Sequence, residues 1–157
     1  MSETTGTFLV TETDPESAVL RDVETGQIHA LDEQVDPALE SGEVLSATIR
    51  PVPPMEVTWE LVEIEDRRTI EVIDSDLSPT RQAEQLAAGE PPGEVIREER
   101  EGTGEIHVVT VPEGEVARAA RDVVDDEETV ARAARLGAVR VEVRTGEGFV
   151  NVRYLPD

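Results

Sequence analysis

The sequence predicts a mainly β chain with an added α+β part: a six-stranded small barrel over residues 1–73, a linker with one short helix over 74–93, and a unit over 94–157 with two helices on one face of an antiparallel sheet. Three observations carry this reading. Short runs rich in Val, Ile, Leu and Thr alternate with proline and glycine turn signals through the first 73 residues. Helix start and stop signals cluster between residues 113 and 137. The last two apolar runs alternate in steps of two about a glycine-containing turn, as a hairpin does.

Taken in order, residues 6–11, 17–22, 27–31, 43–50, 57–64 and 69–73 read as strands. Thr13-Asp14-Pro15, Thr25-Gly26, Ser41-Gly42 and the run from Pro51 to Pro54 separate them, proline fixing φ and glycine supplying positive φ. Closure into a barrel removes exposed strand edges, so an OB-like or SH3-like barrel is expected. Ser78 as N-cap, Pro79 at the first helical position and Gly89 as the stop define the linker helix. Beyond it, residues 95–100 and 105–111 pair across Glu101-Gly102-Thr103-Gly104. A helix over 113–124 places Val116, Ala120, Val123 and Val124 on one side. A second starts at Asp125 or Asp126 and stops at Gly137, with acids in its first turn and arginines in its last. The sixfold match Val-Ala-Arg-Ala-Ala-Arg at 116–121 and 130–135 reads as reuse of strong helix formers.

Charge sets the environment. The chain has 36 acidic and 14 basic residues, net −22, and every basic residue is arginine. Self-repulsion on this scale weakens a compact state at low salt and is screened at about 3 Å in molar salt. Carboxylates hold water and hydrated cations, whereas lysine stems add apolar surface, so the balance reads as halophilic. Met-Ser-Glu-Thr-Thr at the start has neither the basic residues nor the apolar stretch of a secretory signal, which reads as cytoplasmic. The absence of cysteine excludes disulfides and thiolate chemistry, and no apolar run approaches the roughly 20 residues of a membrane span.

The segments Gly6-Thr7-Phe8-Leu9-Val10, Pro53-Pro54-Met55-Glu56-Val57-Thr58-Trp59-Glu60-Leu61-Val62, Ser78-Pro79-Thr80-Arg81-Gln82 and Arg132-Ala133-Ala134-Arg135-Leu136-Gly137 together resemble an uncharacterised haloarchaeal protein family, a domain of unknown function. The resemblance spans essentially the whole chain. It implies a haloarchaeal, cytosolic origin and carries no activity, cofactor, partner or catalytic residue.

Residues able to do chemistry are few. His29 and His107 each sit between apolar neighbours in an expected strand, with no Gly-x-Ser-x-Gly elbow in the chain. Asp74-Ser75-Asp76 begins like a calcium loop, but Pro79 and Gln85 stand where the turn glycine and bidentate glutamate belong. Gly102-Thr103-Gly104 leads into a strand with no lysine available, so it reads as a hairpin turn, not a phosphate loop. No catalytic, cofactor-binding or metal-ligating residue is assigned.

What remains is the outer face of the last hairpin. With Gly146-Glu147 as the turn, Val143 faces Val150, Val141 faces Val152 and Val139 faces Tyr154, leaving Arg140, Arg144, Phe149, Asn151 and Arg153 on the opposite face with Glu142. Arg140 then lies across from Arg153, unfavourable unless an anion or carboxylate intervenes. These five residues form a candidate anion or partner surface; a salt network through Glu142 is the plainer account. The chain is therefore expected to be a non-catalytic interaction module, a protein adaptor or a nucleic-acid-associated binding protein. Its expected partner is a protein or RNA; a cofactor and membrane association are not expected, and the chain is a monomer or weak homo-oligomer. The alternative is an enzyme acting on a small substrate in a cleft between the halves through carboxylates and His107.

Overall fold

A computed structural model describes residues 3–100 and 104–156. Glu101, Gly102 and Thr103 of the expected turn lie outside the described residues. Ten strands and three helices follow in order among them: β1 (Thr4–Asp14), β2 (Ser17–Asp22), β3 (Ile28–Leu31), β4 (Glu43–Pro51), β5 (Trp59–Thr69), β6 (Glu71–Asp74), α1 (Arg81–Ala87), β7 (Val95–Glu99), β8 (Glu105–Thr110), α2 (Val116–Asp125), α3 (Glu127–Arg135), β9 (Arg140–Gly146) and β10 (Phe149–Leu155). They fall into two compact units. The first takes the chain up to Ile70 together with Val130–Arg135, and the second takes Glu71–Thr129 and the chain from Leu136 onward.

The first unit is a five-stranded sheet in the order β1-β2-β3-β5-β4, closed by β4 pairing back on β1 from Thr4↔Ile49 to Leu9↔Val44. β3 meets β5 in parallel at Leu31 and Trp59, while the other pairings are antiparallel. Alternation buries Phe8, Val10, Leu20, Leu31, Leu45 and Ile49 as one core. The 32–42 connection adds Leu39, and its fold is held by Gln34, whose Nε2 donates to Asp14 O and Ser17 O while its Oε1 accepts from Leu39 N at 3.0 Å. Arg67 secures the same loop: Nε and Nη2 donate to the two Glu43 carboxylate oxygens at 2.9 and 2.7 Å, and Nη1 and Nη2 reach Pro37 O and Ala38 O.

The sixth strand expected here is not in this sheet. β5 runs on to Thr69 along the length of β4, so one long strand occupies the place expected for two. After Ile70, β6 lies parallel beside β9, from Glu71↔Arg140 to Asp74↔Val143. The second sheet is therefore mixed, in the order β6-β9-β10-β8-β7, where an antiparallel sheet is expected. Its helices also depart from the expected arrangement on one face. α2 packs on β9, β6 and β10 on the side of Asp74 and Thr145, whereas α1 packs on β8, with Ala83 against Val108 and Phe149 on the opposite side. Val130–Arg135, most of the other helix expected on the sheet, goes with the first unit, where Arg135 Nη1 donates to Val23 O at 2.9 Å.

Residues 74–93 belong to this second fold. Ser75 N donates to Val143 O, Gln82 Nε2 to Glu99 O, Gly93 N to Thr110 O and Thr110 Oγ1 to Pro91 O, at 2.7 to 2.9 Å. The N-cap of α1 is Thr80, whose hydroxyl accepts from Ala83 N, two residues later than the Ser78 expected. Asp126 caps α3 through Glu128 N, and Gly137 follows at φ 75°.

The β9–β10 hairpin turns at Glu147-Gly148, so Val143 faces Val152 and Val141 faces Tyr154, two residues from the expected register. A two-residue slip leaves every side chain on the same face, so alternation alone does not choose between the registers. Two local features favour the observed one. Gly148 takes the positive φ of 76° that the turn needs, and Gly146 faces Phe149, whose ring fills the space a Cβ at 146 would need.

Candidate functional site

The register reorganises the arginine face. Arg153 now lies across from Glu142 and Ile106, Arg144 across from Asn151, and Arg140 across from Leu155 and Glu71. The expected Arg140/Arg153 opposition does not occur. Phe149 is buried beneath α1 with Val108, Ala83 and Leu86, so it is part of the core and not of a partner surface. Asn151 is fully buried, and neither its Oδ1 nor its Nδ2 has a hydrogen-bond partner. Arg144 has a structural role: Nη1 donates to Ser78 O at 3.0 Å and Nη2 stands 2.8 Å from Glu142 Oε1.

Arg153 differs. Its Nε is 3.2 Å from that same Glu142 oxygen without the alignment of a hydrogen bond, and its Nη1 is buried with no partner. Its side chain is only 11% exposed. Burial pushes its pKa below the usual guanidinium range, and the neighbouring charge of Arg144 adds to this; Glu142 opposes, and Arg100 and Arg140 act with Arg144. One carboxylate thus answers two guanidiniums.

Arg153 opens onto a cavity of 190 Å³ that it lines with Arg81, Arg100, Thr80, Gln82 and Ile106. Three elements bring the guanidiniums together. Arg81 is the first residue of α1, Arg100 follows β7, where its N donates to Gly104 O, and Arg153 rises from β10 beside Ile106 of β8. The Nε of Arg100 is likewise buried without a partner. Buried guanidinium nitrogens without acceptors are costly, and a pocket lined by two side chains that carry them, with the exposed Arg81 at its edge, is a place where an anion lowers the free energy.

Sequence reasoning found Arg153 and missed Arg81 and Arg100. Their juxtaposition depends on β8 lying between β7 and β10 and on α1 packing over that face, neither of which is written in local spacing. The one signal was regional and covers Arg100 but not Arg81: nine of the 14 arginines fall after residue 93.

Neither histidine is part of this pocket's lining. His107 is buried, with Nε2 2.7 Å from Glu105 Oε1 and its ring 4.8 Å from that of Tyr154. His29 is buried in the first unit, edge-on to Phe8 and Trp59. No group of three or more His, Asp or Glu among the described residues is placed to hold a metal ion, and none of their helices is long and apolar enough to cross a membrane.

A profile described as a family of unknown function, DUF5812, matches residues 4–145. No curated protein and no solved structure matches the chain.

Proposed function

The chain belongs to that family of unknown function, DUF5812, and from this premise and its own geometry we propose that it is a non-catalytic interaction module that engages its partner through an anionic group seated among Arg81, Arg100 and Arg153. The observation that carries the reading is the imbalance at this pocket: three guanidiniums line it, and the carboxylate that Arg153 meets, on Glu142, is already shared with Arg144. In a chain of net −22 such a concentration of unanswered positive charge is out of character, which makes it a recognition feature more than a by-product of composition.

Two further readings accompany it. The strand order β1-β2-β3-β5-β4, with β3 and β5 parallel and β4 returning to β1, supports a small OB-type barrel over an SH3-like one. The outer positions of β2 and β3 carry no aromatic residue on which a base would stack, which favours a partner other than single-stranded nucleic acid at that barrel. Acidity without lysine supports a halophilic, haloarchaeal protein of the cytosol.

The test is affinity purification from a high-salt lysate, with bound protein, RNA and small molecules identified together, for the wild type and for Arg81→Ala/Arg100→Ala. Arg81 is exposed and Arg100 half-buried, so the variant should keep the wild-type circular dichroism. The wild type should retain an anionic partner that the variant loses. Equal retention by both would sink the pocket as the recognition site.

A further inference from the structure

We infer that the Arg81/Arg100/Arg153 pocket takes a single tetrahedral dianion, the phosphate of a monoester or inorganic phosphate itself, in preference to a carboxylate or a phosphodiester strand. This rests on the pocket being an anion site and adds the chemistry of the anion.

Three features of the pocket support the choice. The first is charge. Arg81, Arg100 and Arg153 line the cavity, Arg144 lies beside Arg153, and among the described residues Glu142 is the carboxylate paired with these last two. With Glu98, which shares this face of the sheet, counted beside Glu142, the four guanidiniums still leave an excess of about two charges, more than a monoanion neutralises, whereas a phosphomonoester carries about −1.5 to −2 near neutral pH. The second is the arrangement of donors. The guanidiniums come from three separate elements, α1, the end of β7 and β10, and so surround the cavity without lying on one strand or helix. A monoester phosphate offers three terminal oxygens, one for each fork. A carboxylate and a phosphodiester offer two. The third is size. At 190 Å³ the cavity falls below the roughly 300 Å³ at which pockets begin to enclose whole drug-sized ligands, yet it has ample room for one oxyanion. It therefore holds a charged head and leaves any remainder of the ligand outside.

An extended polyanion fits less well. Glu98 of β7 and Glu142 of β9 flank Arg153 on its own face of the sheet, so phosphates on either side of the bound one would meet carboxylates.

The experiment is isothermal titration of the full-length chain in concentrated KCl with inorganic phosphate, phenyl phosphate, sulfate, acetate and a single-stranded oligonucleotide lacking terminal phosphates. Phosphate at pH 7.5 and sulfate should bind at least about tenfold more tightly than acetate. Phosphate affinity should fall several-fold as the pH drops below its second pKa of about 6, while sulfate affinity holds. Arg81→Gln and Arg100→Gln, singly and together, should each weaken both dianions, and the exposed Arg81 provides the variant least able to disturb folding. If acetate matches phosphate, the pocket remains an anion site but the dianion assignment fails. If the oligonucleotide binds as tightly as phosphate, a nucleic-acid backbone replaces the monoester as ligand. If no anion binds, or if binding is indifferent to both arginine substitutions, the anion reading falls as well. Phenyl phosphate binding more tightly than inorganic phosphate would identify an esterified source, and the reverse would identify the free ion.

Discussion

His29 shows how a single buried group can tie pH to stability. It is 2% exposed, both ring nitrogens lack hydrogen-bond partners, and Phe8 and Trp59 meet it edge-on at 5.8 and 4.5 Å between ring centroids. Burial lowers its pKa from the ordinary 6.5, with the nearby charge of Asp22 acting in the opposite sense. A folded-state pKa below the unfolded one means that stability is complete above about pH 6.5 and declines as protons bind the unfolded chain more readily, down to the folded value. The denaturation midpoint should therefore fall between about pH 7.5 and 5.5, above the range in which carboxylates titrate. Substituting His29→Leu should flatten that dependence and leave stability at pH 7.5 equal or higher, since an imidazole without partners is costly to bury. Fluorescence of Trp59, the single tryptophan, should quench only below that interval, where the folded-state imidazole itself takes up a proton. An unchanged pH profile in His29→Leu would refute this. His29 between Ile28 and Ala30 is legible in sequence as a packed histidine; its contact with Trp59 is not, because it depends on β3 and β5 running side by side.

At the scale of elements, the role of Arg67 explains how a core can be closed by a loop without regular structure. Its fork engages both Glu43 oxygens and two carbonyls of the 32–42 connection, which carries Leu39 into the core. The hydrogen bond from Arg67 holds the Glu43 carboxyl below the usual carboxylate range, so this contribution is present above the ordinary value of 4.5 and is lost as pH falls through the lowered one. Arg67→Lys keeps the charge but has no planar fork, and it should cost about 1–3 kcal/mol, read as a lower urea midpoint with unchanged m. A loss below a few tenths of a kcal/mol would mean the loop is held by Leu39 and Gln34 alone.

Elements were legible where the signal was local. Turn glycines, the stop at Gly137 and the period-two runs placed nearly every strand, since these depend on the φ preference and side-chain direction of a few neighbours. Pairing partners were hidden. The slip of β9 against β10 and the transfer of β6 to a second sheet both keep local alternation intact, and the outcome is decided by packing, such as the Phe149 ring over Gly146. For the same reason Arg153 was visible as a candidate, while its neighbours in the pocket, Arg81 and Arg100, were not.

For the whole molecule, 36 acids against 14 arginines make screening the main external control on stability. The unfolding midpoint should rise steeply with KCl, and more steeply than with an equal osmolality of sucrose, which excludes itself from the surface without screening charge. A chain equally stable in dilute buffer would contradict the halophilic reading.

The first unit is not a continuous stretch of chain: it runs to Ile70 and is completed by Val130–Arg135. On the ribosome, the intervening residues take roughly 3–12 s to emerge at about 5–20 residues per second. During that interval the nascent closed sheet lacks its final segment and must wait, with Val23 O still without Arg135, while the strands of its neighbour are being made. A chain that stops at the close of β5 lacks this segment altogether and should leave the closed sheet less stable than in the full-length protein.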